Sequence, residues 1–408
     1  MSNEKKKASD WTHMIQKYPM RNWMICFPAV SSSFVLGSDF DDMHAHFVEF
    51  KMRGGMNVAE KRQETQEIDV IYLKDGPTKL QLRWDGLMNS ILLLHNMFKC
   101  IYYYYYYYYY LLLFAVKGFE LLKILQGHSG CIRSVNFSPD DSKIVSSSFD
   151  RTVRIWDIQS GKVIHILDGH LQNVNDASFS PDGNKVISCS DDKTIRLWDA
   201  KLGKEEQIFK GHSSSVTSVQ FSPDGSIILS SSRDKTIRLW AKESGQELKI
   251  LEGHLKQVNY AQFSPDGQYI VSASQDKTIG IWDVKLGTMI KTFDGNPNSI
   301  TRAQFSPGSS FILSCSYRLI QIWDVKSQKE IKRFEGHSYD VSGAKYLPDG
   351  QTMLSCSWDR TIRWWDVKSK QEIQKLEGHI NLIVGIDVSS DGNIIASCSW
   401  DNTIRLWS

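Results

Sequence analysis

From Gly211 the chain alternates apolar and polar positions over Val216 to Phe221, breaks at Ser222-Pro223-Asp224-Gly225, and resumes as a second run over Ile227 to Ser232. Asp234-Lys235 leads into a third run, Thr236 to Trp240, and Glu243-Ser244-Gly245 into a fourth, Glu247 to Leu251. Short alternating runs bounded by Pro, Asp and Gly predict four strands joined as an antiparallel meander. The unit recurs. Trp156, Trp198, Trp240, Trp282, Trp323, Trp365 and Trp407 follow one another at a spacing of 42 residues with a single one-residue slip, each preceded by a Gly at 127, 169, 211, 253, 295, 336 and 378. Self-similarity at about 40 to 45 residues with four short strands per unit predicts a β-propeller. A lone sheet of this size cannot bury both faces, so the units must stack against one another.

The Gly-His and Trp-Asp pairs that bracket the units resemble the WD-repeat family, over about residues 118 to 408. The resemblance implies an all-β, seven-bladed propeller. The last unit ends at Trp407-Ser408, after its third strand, and an extra strand, Glu120 to Leu125, precedes the first Gly-His. Members of the family close their ring by pairing such a strand with the final unit, so Phe119 to Gln126 is expected to staple the circle.

A polar set repeats with the blades: His128, Ser146, Asp150 and Trp156; His170, Ser188, Asp192 and Trp198; His212, Ser230, Asp234 and Trp240; His254, Ser272, Asp276 and Trp282. Blades six and seven continue it with His337, Ser355, Asp359 and Trp365, and with His379, Ser397, Asp401 and Trp407. Imidazole, hydroxyl, carboxylate and indole N–H can close a hydrogen-bonded chain, and the resemblance implies such a structural tetrad. A Ser-His-Asp hydrolase is the competing interpretation. Six copies oppose it, because catalysis needs one nucleophile whereas a clasp is needed once per blade. Blade five departs from the pattern. His becomes Asn296, Tyr317-Arg318 replaces the three-residue turn that carries Asp, and Ser314 and Trp323 remain. Joint loss of both ionisable members avoids stranding one of them, and blade five is expected to be the least rigid.

Variation among near-identical units marks where a partner is chosen. The resemblance places the residue before the turn Asp on the top face, and its equivalents are Phe149, Asp191, Arg233, Gln275, Tyr317, Trp358 and Trp400. Phe149, Tyr317, Trp358 and Trp400 belong to contiguous blades, and Tyr339 and Leu382 join them from the loops after Gly-His. Such an arc of aromatics is expected to bind a protein or peptide. A charged sector of Arg133, Asp191, Arg233 and Lys256 supports a rival, an RNA or phosphopeptide reader. The channel entrance is assigned to Arg133, Asn175, Thr217, Asn259, Thr301, Ser342 and Val384, a ring too small and neutral to sandwich an arginine side chain.

Charge adds little: 48 Lys and Arg against 46 Asp and Glu make a poor footprint for a dedicated polyanion binder. The seven Cys form no Cys-x-x-Cys pair and the opening MSNEKKKASDWTH lacks an apolar core, which points to an intracellular location, cytoplasmic or nuclear. Four of the thiols, Cys189, Cys315, Cys356 and Cys398, fall at one repeat position, where a small buried side chain is needed. No phosphate loop, metal or cofactor is implied. The expected organisation is an N-terminal extension of undefined fold over 1–88, an apolar low-complexity segment with nine consecutive Tyr (Tyr102 to Tyr110) over 89–117, and the propeller over 118–408. Ile101 to Val116 is uncharged, yet at 16 residues it falls short of the ~20 a transmembrane helix needs. His44-x-His46 is more simply two exposed side chains than half a metal site, and Trp84-Asp85 has no Gly-His before it. The expectation is a non-enzymatic scaffold, a monomeric propeller working within a complex.

Overall fold

The computed structural model describes residues 118–408; the extension, the poly-Tyr segment and the His44/His46 and Trp84-Asp85 pairs lie outside them. All regular structure among the described residues is β. Seven four-stranded antiparallel sheets follow one another along the chain, six of them built from four consecutive strands. Blade three runs Val216–Phe221, Ile227–Ser232, Ile237–Ala241 and Glu247–Leu251, each within a residue of the sequence-based expectation.

The seventh sheet is completed from a distance. Leu121–Gln126 pairs antiparallel with Thr403–Trp407, and the backbones of Glu120 and Ser408 exchange two hydrogen bonds of 3.0 Å. Next to this seam Phe119 packs edge-on against Trp364 of blade six, 5.1 Å between centroids, and its backbone N–H and C=O are both satisfied by the Gln374 amide at 2.9 Å. The closing strand therefore ties blade seven to blade six as well as to the chain start.

Each apolar cluster joins two blades. Ile187 and Leu197 of blade two meet Val219, Ile228 and Trp240 of blade three, and the other six clusters repeat this arrangement around the ring. The repeat tryptophans sit inside these interfaces at 1–3 % exposure. Phe209, Phe293 and Phe334 on the outer strand of one blade approach the tryptophan of the next edge-to-face, at 5.9–6.0 Å. Burying a sheet face against its neighbour is the main driving force here, worth roughly 25 cal/mol per Å² of apolar surface removed from water.

In every blade the innermost pairing carries a bulge at its second residue, as at Thr217 between Val216 and Ser218. A bulged residue leaves the ladder and its side chain is re-aimed. Here it turns to the next blade: Asn175 donates to Val216 O at 2.9 Å, Thr217 to Val258 O at 2.7 Å, Asn259 to Ile300 O at 2.7 Å, Thr301 to Val341 O at 2.7 Å and Ser342 to Ile383 O at 2.6 Å. The residues assigned to the channel entrance are thus inter-blade staples, which explains why they are small and polar. Arg133 and Val384 make no such bond, so the blade-one to blade-two and blade-seven to blade-one junctions lack this staple.

Leu125, 1 % exposed, is the apolar anchor of that strand. Leu125→Ala should lower stability by about 2–5 kcal/mol, read as a shift in the urea midpoint, because the cavity opens in a seam that cannot collapse around it.

Candidate functional site

The Asp-bearing turns and the Gly-His loops share one face, and six tetrads lie beneath it. His Nδ1 stands 2.7–2.9 Å from Asp Oδ2, His Nε2 2.7–2.9 Å from Ser Oγ, and Trp Nε1 2.8–2.9 Å from the same Ser Oγ. The acceptor-only Asp assigns the Nδ1–H tautomer, so Ser donates to His Nε2 and receives the indole N–H. A fifth member escaped the sequence reading. Thr152, Thr194, Thr236, Thr278, Thr361 and Thr403 each donate to the Asp Oδ1 at 2.6–2.7 Å, and the backbone N–H after each His reaches the Asp Oδ2 at 2.9–3.1 Å. Its signal was the Thr two residues after each turn Asp.

The six tetrad serines have no exposed surface. Each already gives its proton to His and receives one from Trp, which leaves no approach for a substrate carbonyl. The Gly before His is set by the same packing: a Cβ on Gly211 would stand 2.8 Å from both Arg238 Nη1 and Trp240. Arg238 and Arg363 lie across this corner and pair with Glu247 and Glu372 on the outer strand at 2.5 and 2.6 Å.

Burial disfavours the charged carboxylates, but hydrogen bonds from His and Thr outweigh it. Asp150, Asp192, Asp234, Asp359 and Asp401 are held well below the ordinary carboxylate value, and Asp276 is lowered to about 2. Burial pushes His128, His254 and His379 down from 6.5.

Blade five shows what the tetrad removes. Ser314 still receives the Trp323 N–H at 2.8 Å, but Asn296 stays buried and neither atom of its amide has a partner. Gln321, in place of the recurrent Arg, bonds Glu330 at 2.7 Å through Nε2 and leaves Oε1 buried and unpaired. In the turn Pro307-Gly308-Ser309 the left-handed conformation falls on Ser309, at φ 55°, whereas blade three places Gly225 there. Joint loss of His and Asp did spare a buried charge, yet it left unsatisfied amides.

On the tetrad face Trp358 and Trp400 stand 6.4 Å apart and Phe149 and Trp400 6.2 Å, so three blades share one aromatic cluster. Tyr317 and Tyr339 form a second cluster around Arg318, whose guanidinium carbon lies 4.8 and 6.0 Å from their ring centroids. The backbone bond from Trp358 N to Asp340 O, 2.9 Å, joins the two. Trp358, Tyr317 and Tyr339 are 37 %, 41 % and 56 % exposed; Phe149, Trp400 and Leu382 are half-buried, the last two packed on the seam between blades seven and one.

Residues 119–157 and 161–199 match the family model described as WD domain, G-beta repeat, and residues 215–408 match the one described as IFT122 first beta-propeller. The chain belongs to the WD-repeat family. Its matches to curated WD-repeat relatives are about one repeat long. They include Pre-mRNA-processing factor 17 of Saccharomyces cerevisiae, 47 % identical over 45 residues (11 % of this chain, 10 % of that protein). Lissencephaly-1 homolog of Dictyostelium discoideum is 51 % identical over 39 residues (10 % and 9 %). Cilia- and flagella-associated protein 57 of Mus musculus is 42 % identical over 50 residues (12 % and 4 %). The chain thus spans a tenth or less of these relatives' length.

In this WD-repeat propeller the residues of the charged sector differ in their surroundings. Arg133 leans over the Phe149 ring at 5.8 Å and joins the aromatic arc. Asp191 is occupied by Asn175 and Asn173 at 2.8 and 3.2 Å. Arg233 and Lys256 are exposed.

Asn296→Val should raise stability by about 1 kcal/mol in denaturant titration, because it deletes a buried amide that bonds nothing. The lowered His and Asp values carry the same sign: the unfolded chain binds more protons, so stability is full above pH 6.5 and lost as pH falls. Urea midpoints should fall modestly between pH 7 and 5 and steeply below pH 4.

Proposed function

We propose that the protein is a non-enzymatic scaffold that binds a protein or peptide partner on its tetrad face, through the arc of Phe149, Tyr317, Tyr339, Trp358, Leu382 and Trp400. The run of aromatics across four adjacent blades, exposed in blades five and six and half-buried in blades seven and one, carries this proposal. Three of them, Tyr317, Tyr339 and Trp358, are more than a third exposed, and the turn that carries Trp358 is held by its backbone hydrogen bond to Asp340 and by the blade-six tetrad. Rigid aromatics on a pre-organised surface lose little entropy on binding, and Trp and Tyr dominate interface energetics.

The repeats similar to this chain occur in proteins whose names refer to pre-mRNA processing, lissencephaly and cilia or flagella, so likeness within one repeat does not select a pathway. The five described cysteines are all free, four of them buried, which supports an intracellular setting. Among the described residues no helix is long and apolar enough to cross a membrane. The propeller beginning at residue 118 is the partner-binding unit in this proposal, monomeric within a larger assembly.

Affinity capture from native lysate, comparing wild type with Trp358→Ala/Trp400→Ala after both are shown to fold by thermal melting, tests the arc. Proteins retained by the wild type should be lost from the double variant, since truncating a hot spot costs about 2 kcal/mol or more. Retention by both discards the arc. Retention that instead vanishes with added salt and on Arg233 or Lys256 substitution favours an RNA or phosphopeptide ligand.

A further inference from the structure

The innermost strands line a channel whose opposite mouth, on the side of the Ser-Pro turns, widens into a cavity of ≈ 420 Å³. At the third position of each inner strand, just past the bulge, the series around the ring is Ser134, Asp176, Ser218, Tyr260, Arg302, Gly343 and Gly385, the last two without a side chain. Arg302 is the one cation of this tier. Its guanidinium carbon lies 4.9 Å from the centroid of the Tyr260 ring, and its stem crosses the bare backbone of Gly343, where an added Cβ would stand 3.5 Å from Arg302 Cδ.

The charges near the cavity are unequally satisfied. Asp176 accepts the backbone N–H groups of Ala177 at 3.0 Å and Val219 at 3.3 Å. Asp387 accepts those of Phe137 and Val388, both at 2.8 Å, and forms the ion pair with Lys345. Both carboxylates are therefore occupied by donors. Arg302 is half-buried in the cavity wall and has no hydrogen-bond acceptor among the described residues, although it carries five donors; its charge is balanced only at longer range, by the Asp176 carboxylate. On the same wall Gln262 Oε1 is buried without a partner. A stacked, pre-positioned guanidinium in a concave polar site matches the planar fork that grips a carboxylate or phosphate.

We propose that this end of the channel binds a small oxyanion, the carboxylate or phosphate group of a metabolite-sized molecule, through bidentate contact with Arg302 on its Tyr260 platform. The cavity has the size of a small-molecule site. The site lies on the face opposite the aromatic arc and does not depend on it.

Isothermal titration of the full chain with citrate, and separately with inorganic phosphate, at ionic strength held constant by chloride, tests the proposal. Saturable one-site binding to the wild type should weaken at least tenfold in Arg302→Gln and several-fold in Tyr260→Leu, which keeps the charge and removes the platform. Trp358→Ala/Trp400→Ala should bind as the wild type does. Preference for citrate assigns carboxylates, and preference for phosphate assigns phosphate esters. Should Arg302→Gln fail to fold, Arg302→Lys, which keeps the charge without the fork, makes the same comparison. Absence of binding to the wild type, or equal binding to the Arg302 variant, overturns the proposal.

Discussion

A four-stranded blade has two apolar faces and no means of burying either by itself. Every other feature of the ring follows from that constraint. The seven clusters each span two blades, the tryptophans lie within those interfaces, and the outer Phe of one blade meets the Trp of the next. A linear stack would leave its two end faces exposed; a ring has no end face but must be sealed once. That seal is Leu121–Gln126 on Thr403–Trp407, fastened by Phe119 on Trp364 and Gln374. Stability is thus local in its contacts and global in its dependence on closure.

Polar groups do what apolar packing cannot, which is to set the register between blades. In five blades the bulge at the second residue of the inner strand sends an Asn, Thr or Ser to the neighbouring carbonyl, and the tetrads fix the turn above six of the seven tryptophans. Both devices place polar atoms where water is absent, so each must be fully paired. Blade five, with an unpaired Asn296 amide and Gln321 Oε1, shows how little departure from the repeat is needed to leave such groups stranded.

Once the repeated residues are committed to the fold, the functional content lies in positions that differ between blades. On the tetrad face those are the aromatics of blades five, six, seven and one. Around the channel they are Tyr260, Arg302, Gly343 and Lys345. Both sets draw on blade five and its neighbour. The blade that has surrendered its clasp contributes Tyr317 and Arg318 to one face and Arg302 to the channel. The missing clasp and a concentration of distinctive side chains therefore coincide.

Much of this was legible from one chain of letters, for physical reasons. Alternation with period two and Gly, Pro and Asp punctuation place strands to within a residue, as in blade three. The 42-residue recurrence of Trp counts the blades, and fixed His, Ser, Asp and Trp offsets identify the tetrad. These are local or strictly periodic signals, and a periodic sequence in a closed ring has few alternative ways to fold. What the sequence left undecided involves contacts between different repeats. The second residue of each inner strand reads as a channel liner, and only the bulge turns five of the seven into staples. Arg133 read as part of a charged sector, and only packing laid it over Phe149. Arg302 had no local pattern to distinguish it, because its Tyr platform comes from one neighbouring blade and its Gly clearance from the other. Side-chain direction across an interface depends on the twist and bulge of two sheets together, and no single repeat carries that information.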